Sequence, residues 1–155
     1  TRTMEGPGAV SGYTISSDAS RLDLHAIHAY LTRESYWARG IPFETVQRAI
    51  GNSLCFGVYE QGSGRQVGFA RLITDRATFA YLADVYIDTA HRGRGLSKQL
   101  VAAVMAHAEV QGLRRWLLAT ADAHGLYRQF GWSGLSKPER IMERVFPDIY
   151  KNPGS

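Results

Sequence analysis

Two glycines separated by one residue stand among cations at the centre of the sequence, in the stretch HRGRGLSKQL. Gly93 and Gly95 expose backbone that no Cβ covers, and Arg92, Arg94 and Lys98 surround it with positive charge. An alternating apolar run precedes the glycines and a strongly helical segment follows them, which predicts a strand–turn–helix junction. The first N–H groups of a helix lack intrahelical acceptors and lie at the positive end of its dipole. The junction therefore predicts a phosphate-binding site, with a tight turn bearing solvated cations as the alternative.

Two common nucleotide-binding motifs do not fit this spacing. A dinucleotide fingerprint requires G-x-G-x-x-G after an early strand, with an acidic residue about 20 positions further on. Lys98 occupies the position of the third glycine. A Walker loop requires G-x-x-x-x-G-K-[ST], which the sequence does not contain. Neither nucleotide class is therefore predicted.

A second group of residues could transfer protons or hold a substrate. Asp84 stands inside the apolar run YLADVYI, a costly position for a charge unless it is paired or used. It is a candidate general base, and bonding to a neighbouring strand or exposure at an edge are its structural alternatives. Glu34 is the second carboxylate candidate and lies beside Tyr36 and Trp37. These two aromatic side chains could cover a bound acceptor or belong to the core.

Other reactive residue types are assigned structural roles. His25 and His28 have a spacing that could hold a metal ion, but no nearby carboxylate or cysteine completes a set, so no metal site is predicted. His124 could relay protons, and a place in a capping turn is its default role. Cys55 has no identifiable activating neighbour, and the isolated pair Arg114–Arg115 is poor evidence for nucleic-acid binding.

Hydrophobic periodicity and glycine and proline positions predict the elements that place these residues. A first helix follows a cap at Asp18 or Ser20, and a second covers about 42–50. Three strands are predicted in SLCFGVYE, RQVGFARLITD and ATFAYLADVYID. After the glycine junction come a helix to about Gln111, a strand RRWLLAT, a short helix capped by Asp122, and a last strand ERIMERVF.

This order of elements predicts a mixed α/β (α+β) fold, antiparallel early and with a βαβ-like crossover later. Residues 1–12 are rich in glycine and have no period, and we interpret them as a flexible leader. Residues 13–151 are predicted to form one domain, as expected for a chain of 155 residues.

Composition limits the classes of function. The chain is 45% hydrophobic and 21% charged, ordinary values for a soluble globular protein. It contains no run of about 18 apolar residues, so no membrane span is predicted. A single cysteine excludes an internal disulfide and favours a reducing compartment, so a cytoplasmic location is expected. The net charge of +4 favours an anionic ligand.

The glycine junction resembles the acyl-CoA loop of the GCN5-related N-acetyltransferase (GNAT) superfamily. That loop carries the motif [QR]-x-x-G-x-[GA], and RGRGLS supplies Arg92 and Gly95 at its two diagnostic positions. Ser97 departs from the motif, where Gly or Ala is usual. A second family signature is a short helix ending in Tyr-x-x-x-Gly-aromatic, which LYRQFGW matches with Tyr127. The order of elements also matches from residue 13 to the last predicted strand.

The resemblance implies a three-layer fold, with a central mixed, mostly antiparallel sheet and helices on both faces. It implies acetyl-CoA as the cosubstrate, no metal, and direct attack of a primary amine on the thioester in the opening where two strands splay apart. Tyr127 would protonate the departing thiolate, and Asp84 or Glu34 would receive the amine proton. A backbone N–H near Val85 or Tyr86 would stabilise the oxyanion. The residues implied to bind the cosubstrate are Val85, Tyr86, Ile87, Arg92, Gly93, Arg94, Gly95, Leu96, Ser97, Lys98, Tyr127 and Phe130, and those implied to bind the acceptor are Glu34, Tyr36 and Trp37.

Two classes of function remain open at this point. One is an active acetyltransferase, which the retention of Tyr127 favours, and the other is a non-catalytic acyl-CoA-binding module of the same fold. The acceptor is expected to be a small-molecule or peptide amine, with no nucleic-acid or membrane partner. A homodimer is left open because dimers are common in the family.

Overall fold

Three antiparallel strands form the centre of the fold, and their sequences are apolar on both faces. In the computed structural model, which describes residues 10–151, they are β2 (Leu54–Glu60), β3 (Gln66–Thr74) and β4 (Phe79–Ile87). Every residue of β2 before Glu60 is buried, as expected for a strand covered on both faces. A shorter strand lies at each edge, antiparallel β1 (Tyr13–Ser16) beside β2 and parallel β5 (Arg115–Leu118) beside β4. The sheet order is β1-β2-β3-β4-β5.

Helices cover both faces of this sheet. The first two pack on one face around a cluster that includes Ile27, Phe69 and Tyr86. The third packs on the other face through Leu100 and Val104, which lie one helical turn apart. The predicted mixed α/β fold with helices on both sides of a mostly antiparallel sheet is therefore confirmed. The helices are α1 (Leu24–Arg33), α2 (Phe43–Gly51), α3 (Leu96–Ala106) and α4 (His124–Arg128).

Two features of the predicted strand order are wrong. Residues 139–146, predicted as the last strand, have no sheet pairing: residues 139 and 140 belong to a 3-10 turn at Pro138–Arg140, and residues 141–146 form neither helix nor strand. Strand β1 was not predicted, because its four residues are too few to display a period. It is defined by its pairing with β2, from Tyr13 opposite Glu60 to Ser16 opposite Gly57.

The start of α1 differs from its prediction. Asp18 caps only a 3-10 turn at Ala19–Arg21, of which Ser20 is the middle residue. Asp23 caps α1, and its carboxylate accepts a hydrogen bond from the Ala26 N–H at 3.0 Å. The chain therefore makes an extra turn before the helix begins.

The ends of α3 and α4 also differ from the prediction. Helix α3 ends at Ala106 and not near Gln111, because His107 adopts an extended backbone conformation before a separate 3-10 turn. Asp122 does not cap α4: the Thr120 hydroxyl accepts the hydrogen bond from the Ala123 N–H at 3.0 Å. This bond lies in the turn before the helix that carries Tyr127, and no side chain caps the helix itself.

The predicted flexible leader falls mostly on residues 1–9, which lie outside the described residues. At residue 12, the Gly12 carbonyl accepts a hydrogen bond from the Gln61 N–H at 2.8 Å, and Val10 packs against the core on the α3 side. The boundaries of the leader and of the single domain stay predictions. Across residues 10–151, no helix is both long enough and apolar enough to cross a membrane.

Candidate active site

A cavity opens where β4 and β5 separate. The two strands pair only from Phe79 opposite Arg115 to Leu82 opposite Leu118, and β4 then continues alone on that side to Ile87. The cavity has a volume of about 820 Å³, and ten of the predicted site residues line it. These are Glu34, Tyr36, Trp37, Asp84, Val85, Tyr86, Ile87, Arg92, Ser97 and Tyr127.

A β-bulge distorts β4 beside this opening. Residues Asp84 and Val85 together face the single residue Ala70 on β3, because the register shifts between the pairs Arg71–Ala83 and Phe69–Tyr86. Asp84 has a φ of 55°, in the left-handed region that aspartate tolerates better than most residues. A bulge leaves one residue out of the ladder and redirects the side chains around it. Here it brings the Asp84 side chain to the cavity wall.

The Asp84 carboxylate is held by two donors from different parts of the chain. One oxygen accepts a hydrogen bond from the Arg71 Nε at 2.8 Å, and the other accepts one from the Trp37 Nε1 at 2.7 Å. The Arg71 and Asp84 side chains are only 17% and 11% exposed, so each charge depends on the other for compensation. This arrangement matches the structural alternative for Asp84, in which it is bonded to a neighbouring strand.

The segment between α1 and α2 closes over the cavity at two points. Trp37 is fixed to β4 through Asp84, and the Tyr36 hydroxyl accepts a hydrogen bond from the Ala121 N–H beyond β5 at 3.2 Å. The two rings meet edge to face, with centroids 5.1 Å apart. Tyr36 nevertheless remains 64% exposed, so it stands at the rim and not in the core. Glu34, at the end of α1, is exposed beside them.

The glycine junction adopts the predicted strand–turn–helix geometry. Gly93 and Gly95 have φ values of 78° and 82°, and Gly95 is the N-cap of α3. An added Cβ on Gly93 would have no neighbouring atom within 4 Å. The requirement for glycine there is therefore the sign of φ and not crowding.

Arg92 connects this junction to the rest of the cavity. Its Nε donates to the Ile87 carbonyl at 2.9 Å, and its Nη2 donates to the Tyr30 hydroxyl at 2.9 Å. The Tyr30 ring in turn stacks on Tyr86, with centroids 3.7 Å apart. Arg92 thus fixes the loop against the end of β4 and against α1, in addition to placing a cation beside the cavity.

The remaining residues of the loop occupy different environments. Arg94 and Lys98 are exposed around the start of α3, where cations would meet an anion approaching the helix N-terminus. Leu96 is buried in the core under α3. Its contribution to any bound ligand is therefore restricted to its backbone.

Tyr127 is the one predicted catalytic residue that is buried. It is 7% exposed, packs against the α3-side core, and lines the cavity. Burial raises the pKa of the Tyr127 phenol above its ordinary value of 10.0, and the nearby Tyr36 adds to the increase. The phenol is therefore neutral, and able to donate a proton, throughout the neutral pH range.

A second cavity, of about 620 Å³, lies on the far side of β5. Phe130 and His124 line this second cavity and not the first. Tyr127 lines both, so α4 forms a wall between them. Of the other predicted cosubstrate residues, Phe130 therefore shares a cavity with Tyr127 alone.

The residues given structural roles lie away from the main cavity. Cys55 is buried in the cluster under α1 and α2, and burial raises the pKa of its thiol to about 12. His28 contacts the Ile41 carbonyl through Nε2 at 3.0 Å, and His25 stacks on Phe43. No group of three histidine, cysteine, aspartate or glutamate side chains within residues 10–151 is placed to hold a metal ion.

Sequence reasoning missed two residues of the site. Arg71 stands in the apolar strand sequence VGFARLIT, and a charge inside a buried strand requires a partner. That signal was available in the sequence, but it did not identify Asp84 as the partner. Tyr30 left no comparable signal, because its role depends on stacking against Tyr86.

Comparisons with known proteins agree with this geometry. The profile of the acetyltransferase (GNAT) family matches residues 24–132. FG08082 of Gibberella zeae, which is named an acetyltransferase only provisionally, is 33% identical over 80% of this chain and 86% of its own length. A protein of Prochlorococcus marinus, named an uncharacterized N-acetyltransferase, is 31% identical over 77% of this chain and 67% of its own length. A solved GNAT-family structure from Xanthomonas campestris pv. campestris is 51% identical, with a TM-score of 0.87 over 92% of this chain and 99% of that chain.

The family match and this fold together define the class as acetyltransferases that use acetyl-CoA. The chain belongs to the GNAT acetyltransferase family.

Proposed function

We propose that this chain is an N-acetyltransferase that moves an acetyl group from acetyl-CoA directly to a primary amine in a ternary complex. The observation that carries this proposal is the cavity, which is lined by Tyr127, by the unpaired part of β4, and by Arg92 and Ser97 of the glycine loop. The pyrophosphate is assigned to the first N–H groups of α3, with Arg94 and Lys98 at the rim. The pantetheine arm is assigned to β4 beyond Leu82, where the strand lacks its β5 partner.

The amine nitrogen attacks the thioester carbonyl, so that a C–N bond forms and the C–S bond breaks. A backbone N–H near Val85 or Tyr86, beside the bulge, donates to the oxyanion. The Tyr127 phenol gives its proton to the departing thiolate, whose conjugate thiol has a pKa of roughly 8.5. Phe130 is assigned to the packing behind Tyr127, at the thioester end of the cosubstrate.

The amine must also lose a proton, and three carboxylates line the cavity, Glu34, Asp84 and Asp122; Glu34 and Asp84 are the two candidates that the sequence indicates. The Asp84 oxygens already accept hydrogen bonds from Arg71 and Trp37. We therefore assign Asp84 to positioning of the cavity wall and Glu34, which is exposed at the rim, to accepting the proton through water. Tyr36 and Trp37 are assigned to the walls of the acceptor subsite.

A non-catalytic acyl-CoA-binding module is the second candidate function. Such a module would use the glycine junction to bind acyl-CoA. It would transfer no proton, so it would not require the neutral, buried Tyr127 phenol beside the cavity. The position of Tyr127 is the observation that favours catalysis over this alternative.

An acceptor panel tests the proposal. Polyamines, aminoglycosides, amino acids and peptide amines are each incubated with acetyl-CoA, and release of the CoA thiol is recorded. We expect at least one amine class to release thiol at a rate that depends on protein concentration. Acetyl-CoA binding without turnover of any amine would contradict the catalytic proposal and support the binding module.

Replacing Gly93 with valine tests the assignment of the glycine junction. A β-branched residue at a φ of 78° is strained, at a cost of about 1–3 kcal/mol, and relief of this strain would turn the loop N–H groups away. Acetyl-CoA at about 100 times its dissociation constant should stabilise the wild-type chain by roughly 2.7 kcal/mol. We expect most of this stabilisation to be lost in Gly93→Val, as measured by thermal unfolding with and without acetyl-CoA.

The matched control is Gly62→Val in the turn between β2 and β3. Gly62 has a φ of 87° and is equally open, but it is not part of the junction. It should lower the melting temperature of the free protein while keeping the full shift with acetyl-CoA. An unchanged acetyl-CoA shift in Gly93→Val would refute the loop assignment.

A further inference from the structure

Four residues that line the main cavity lie where the segment after α1 meets the turn before α4. They are Glu34, Tyr36, Trp37 and Asp122, and we call this group the acceptor mouth. The Ala121 N–H donates a hydrogen bond to the Tyr36 hydroxyl at 3.2 Å, and Asp122 directly follows this link between the two sides. All four side chains are exposed, so they are accessible to a ligand that enters the cavity.

The two carboxylates of the acceptor mouth are uncompensated. Within residues 10–151, neither Glu34 nor Asp122 forms an ion pair or a side-chain hydrogen bond. Asp122 caps no helix, since the Ala123 N–H of the same turn donates to the Thr120 hydroxyl. Carboxylates without a partner at the entrance of a cavity attract a positively charged ligand.

The two cations that line the same cavity are engaged elsewhere. The Arg71 Nε donates to the Asp84 carboxylate at 2.8 Å. Arg92 donates to the Ile87 carbonyl and to the Tyr30 hydroxyl, each at 2.9 Å. Neither guanidinium group is therefore placed to neutralise the acceptor mouth or to hold an anionic group of the acceptor there.

The aromatic rings of the acceptor mouth present their carbon surface to a ligand. Tyr36 is 64% exposed and Trp37 is 41% exposed. The Trp37 Nε1 already donates to Asp84, and the Tyr36 hydroxyl already accepts the hydrogen bond from Ala121. Exposed aromatic rings bind cations through their faces, and the same surface accommodates methylene groups.

We propose that the acceptor is an aliphatic diamine or polyamine, which places one amine beside Tyr127 and a second, protonated amine in the acceptor mouth. The Asp122 carboxylate pairs with the second ammonium group, and the rings of Tyr36 and Trp37 contact that group and the carbon chain. Glu34 adds negative charge and keeps its assigned part in accepting a proton. Only the first amine gains the acetyl group. The inference rests on the proposed function, because it takes this end of the cavity as the acceptor site.

Calorimetric titration of the full chain saturated with CoA tests the site without any reaction. The ligands are 1,4-diaminobutane, 1-aminobutane and 4-aminobutanoate, which share the same length of carbon chain and differ in the group at its far end. We expect the diamine to bind about fivefold more tightly than the monoamine, because it adds a ring contact and an exposed charge pair. The amino acid, whose far end is a carboxylate, should bind most weakly.

Asp122→Asn should remove most of the advantage of the diamine. The matched control is Glu44→Gln, an equal change of charge on α2 at a residue outside the cavity, and it should retain the advantage. Equal affinities of the wild type for the diamine and the monoamine would overturn the inference. A variant Asp122→Asn that weakens all three ligands alike would do the same, and so would a preference for 4-aminobutanoate.

Steady-state rates separate this inference from the proposed function. Asp122→Asn should raise KM for the diamine about fivefold and leave kcat unchanged, because the second ammonium group contacts the mouth equally before and during acetyl transfer. A diamine that binds as expected but receives no acetyl group would contradict the acetyltransferase proposal and support the cation site. Acetylation of the monoamine as efficiently as the diamine would support the acetyltransferase proposal and overturn the inference.

Discussion

Replacement of Tyr127 by phenylalanine is expected to lower kcat by about 10²–10⁴-fold while leaving the affinity for acetyl-CoA unchanged. General acid catalysis contributes a factor of this size, and phenylalanine keeps the ring packing against Trp132 but removes the proton. Burial raises the pKa of Tyr127, so the acid form persists as the pH increases. Deprotonation of Tyr127 should therefore cause no decrease in the wild-type kcat at any pH below about 10.

Tyr81→Phe is the matched control for this prediction, because Tyr81 also lines the main cavity and has no assigned part in proton transfer. Steady-state rates and acetyl-CoA titrations of both variants complete the comparison. Tyr81→Phe should keep the wild-type kcat. An unaltered kcat in Tyr127→Phe would exclude Tyr127 as the proton donor.

Breaking the ion pair between Arg71 and Asp84 is expected to lower the free energy of unfolding more than any of the other proposed substitutions. Removal of one partner of a buried pair leaves an uncompensated charge, at a cost of about 3–5 kcal/mol when burial is complete. This pair retains slight exposure, so we expect Asp84→Asn and Arg71→Gln each to cost about 3 kcal/mol in chemical denaturation. The double variant should lose much less than the sum of the two, because neither charge then remains unpaired.

The same variants separate positioning from proton transfer. The side-chain amide that Asp84→Asn introduces can still accept the Trp37 hydrogen bond through its oxygen, so the double variant should recover acetyl transfer together with stability. A stable double variant that transfers no acetyl group would instead identify Asp84 as the base. Glu109→Gln is the control, since the Arg76–Glu109 pair is about half exposed and such pairs contribute about 0–1 kcal/mol.

The sequence predicted those parts of the site that are determined by residues adjacent in the chain. Gly93 and Gly95 indicated a turn with exposed backbone, and the structure adds that both have positive φ. Continuous patterns of apolar residues indicate the strand before these glycines and the helix after them. Tyr127 could be placed because its signature lies within one short helix. Each of these features depends on a few consecutive residues.

The parts that sequence did not predict depend on distant pairing. Asp84 meets Arg71 only because β3 and β4 pair with a bulge at that point. Trp37 reaches the same carboxylate from 47 positions away, and no periodicity encodes that distance. Strand β1 is likewise defined by its neighbour β2. The wrongly predicted strand at 139–146 has the right apolar composition but no strand beside it within the described part of the chain.

The measurement that tests the account most directly is mass spectrometry of both protein and acceptor after incubation with acetyl-CoA and the amine panel. We predict that the acetyl group appears on the nitrogen of an amine, with CoA as the other product, and that no acetyl group is carried on Cys55, whose thiol has a raised pKa. Acetyl transfer to the protein ahead of the amine, or no acetylated amine from any class despite bound acetyl-CoA, would contradict direct transfer in a ternary complex.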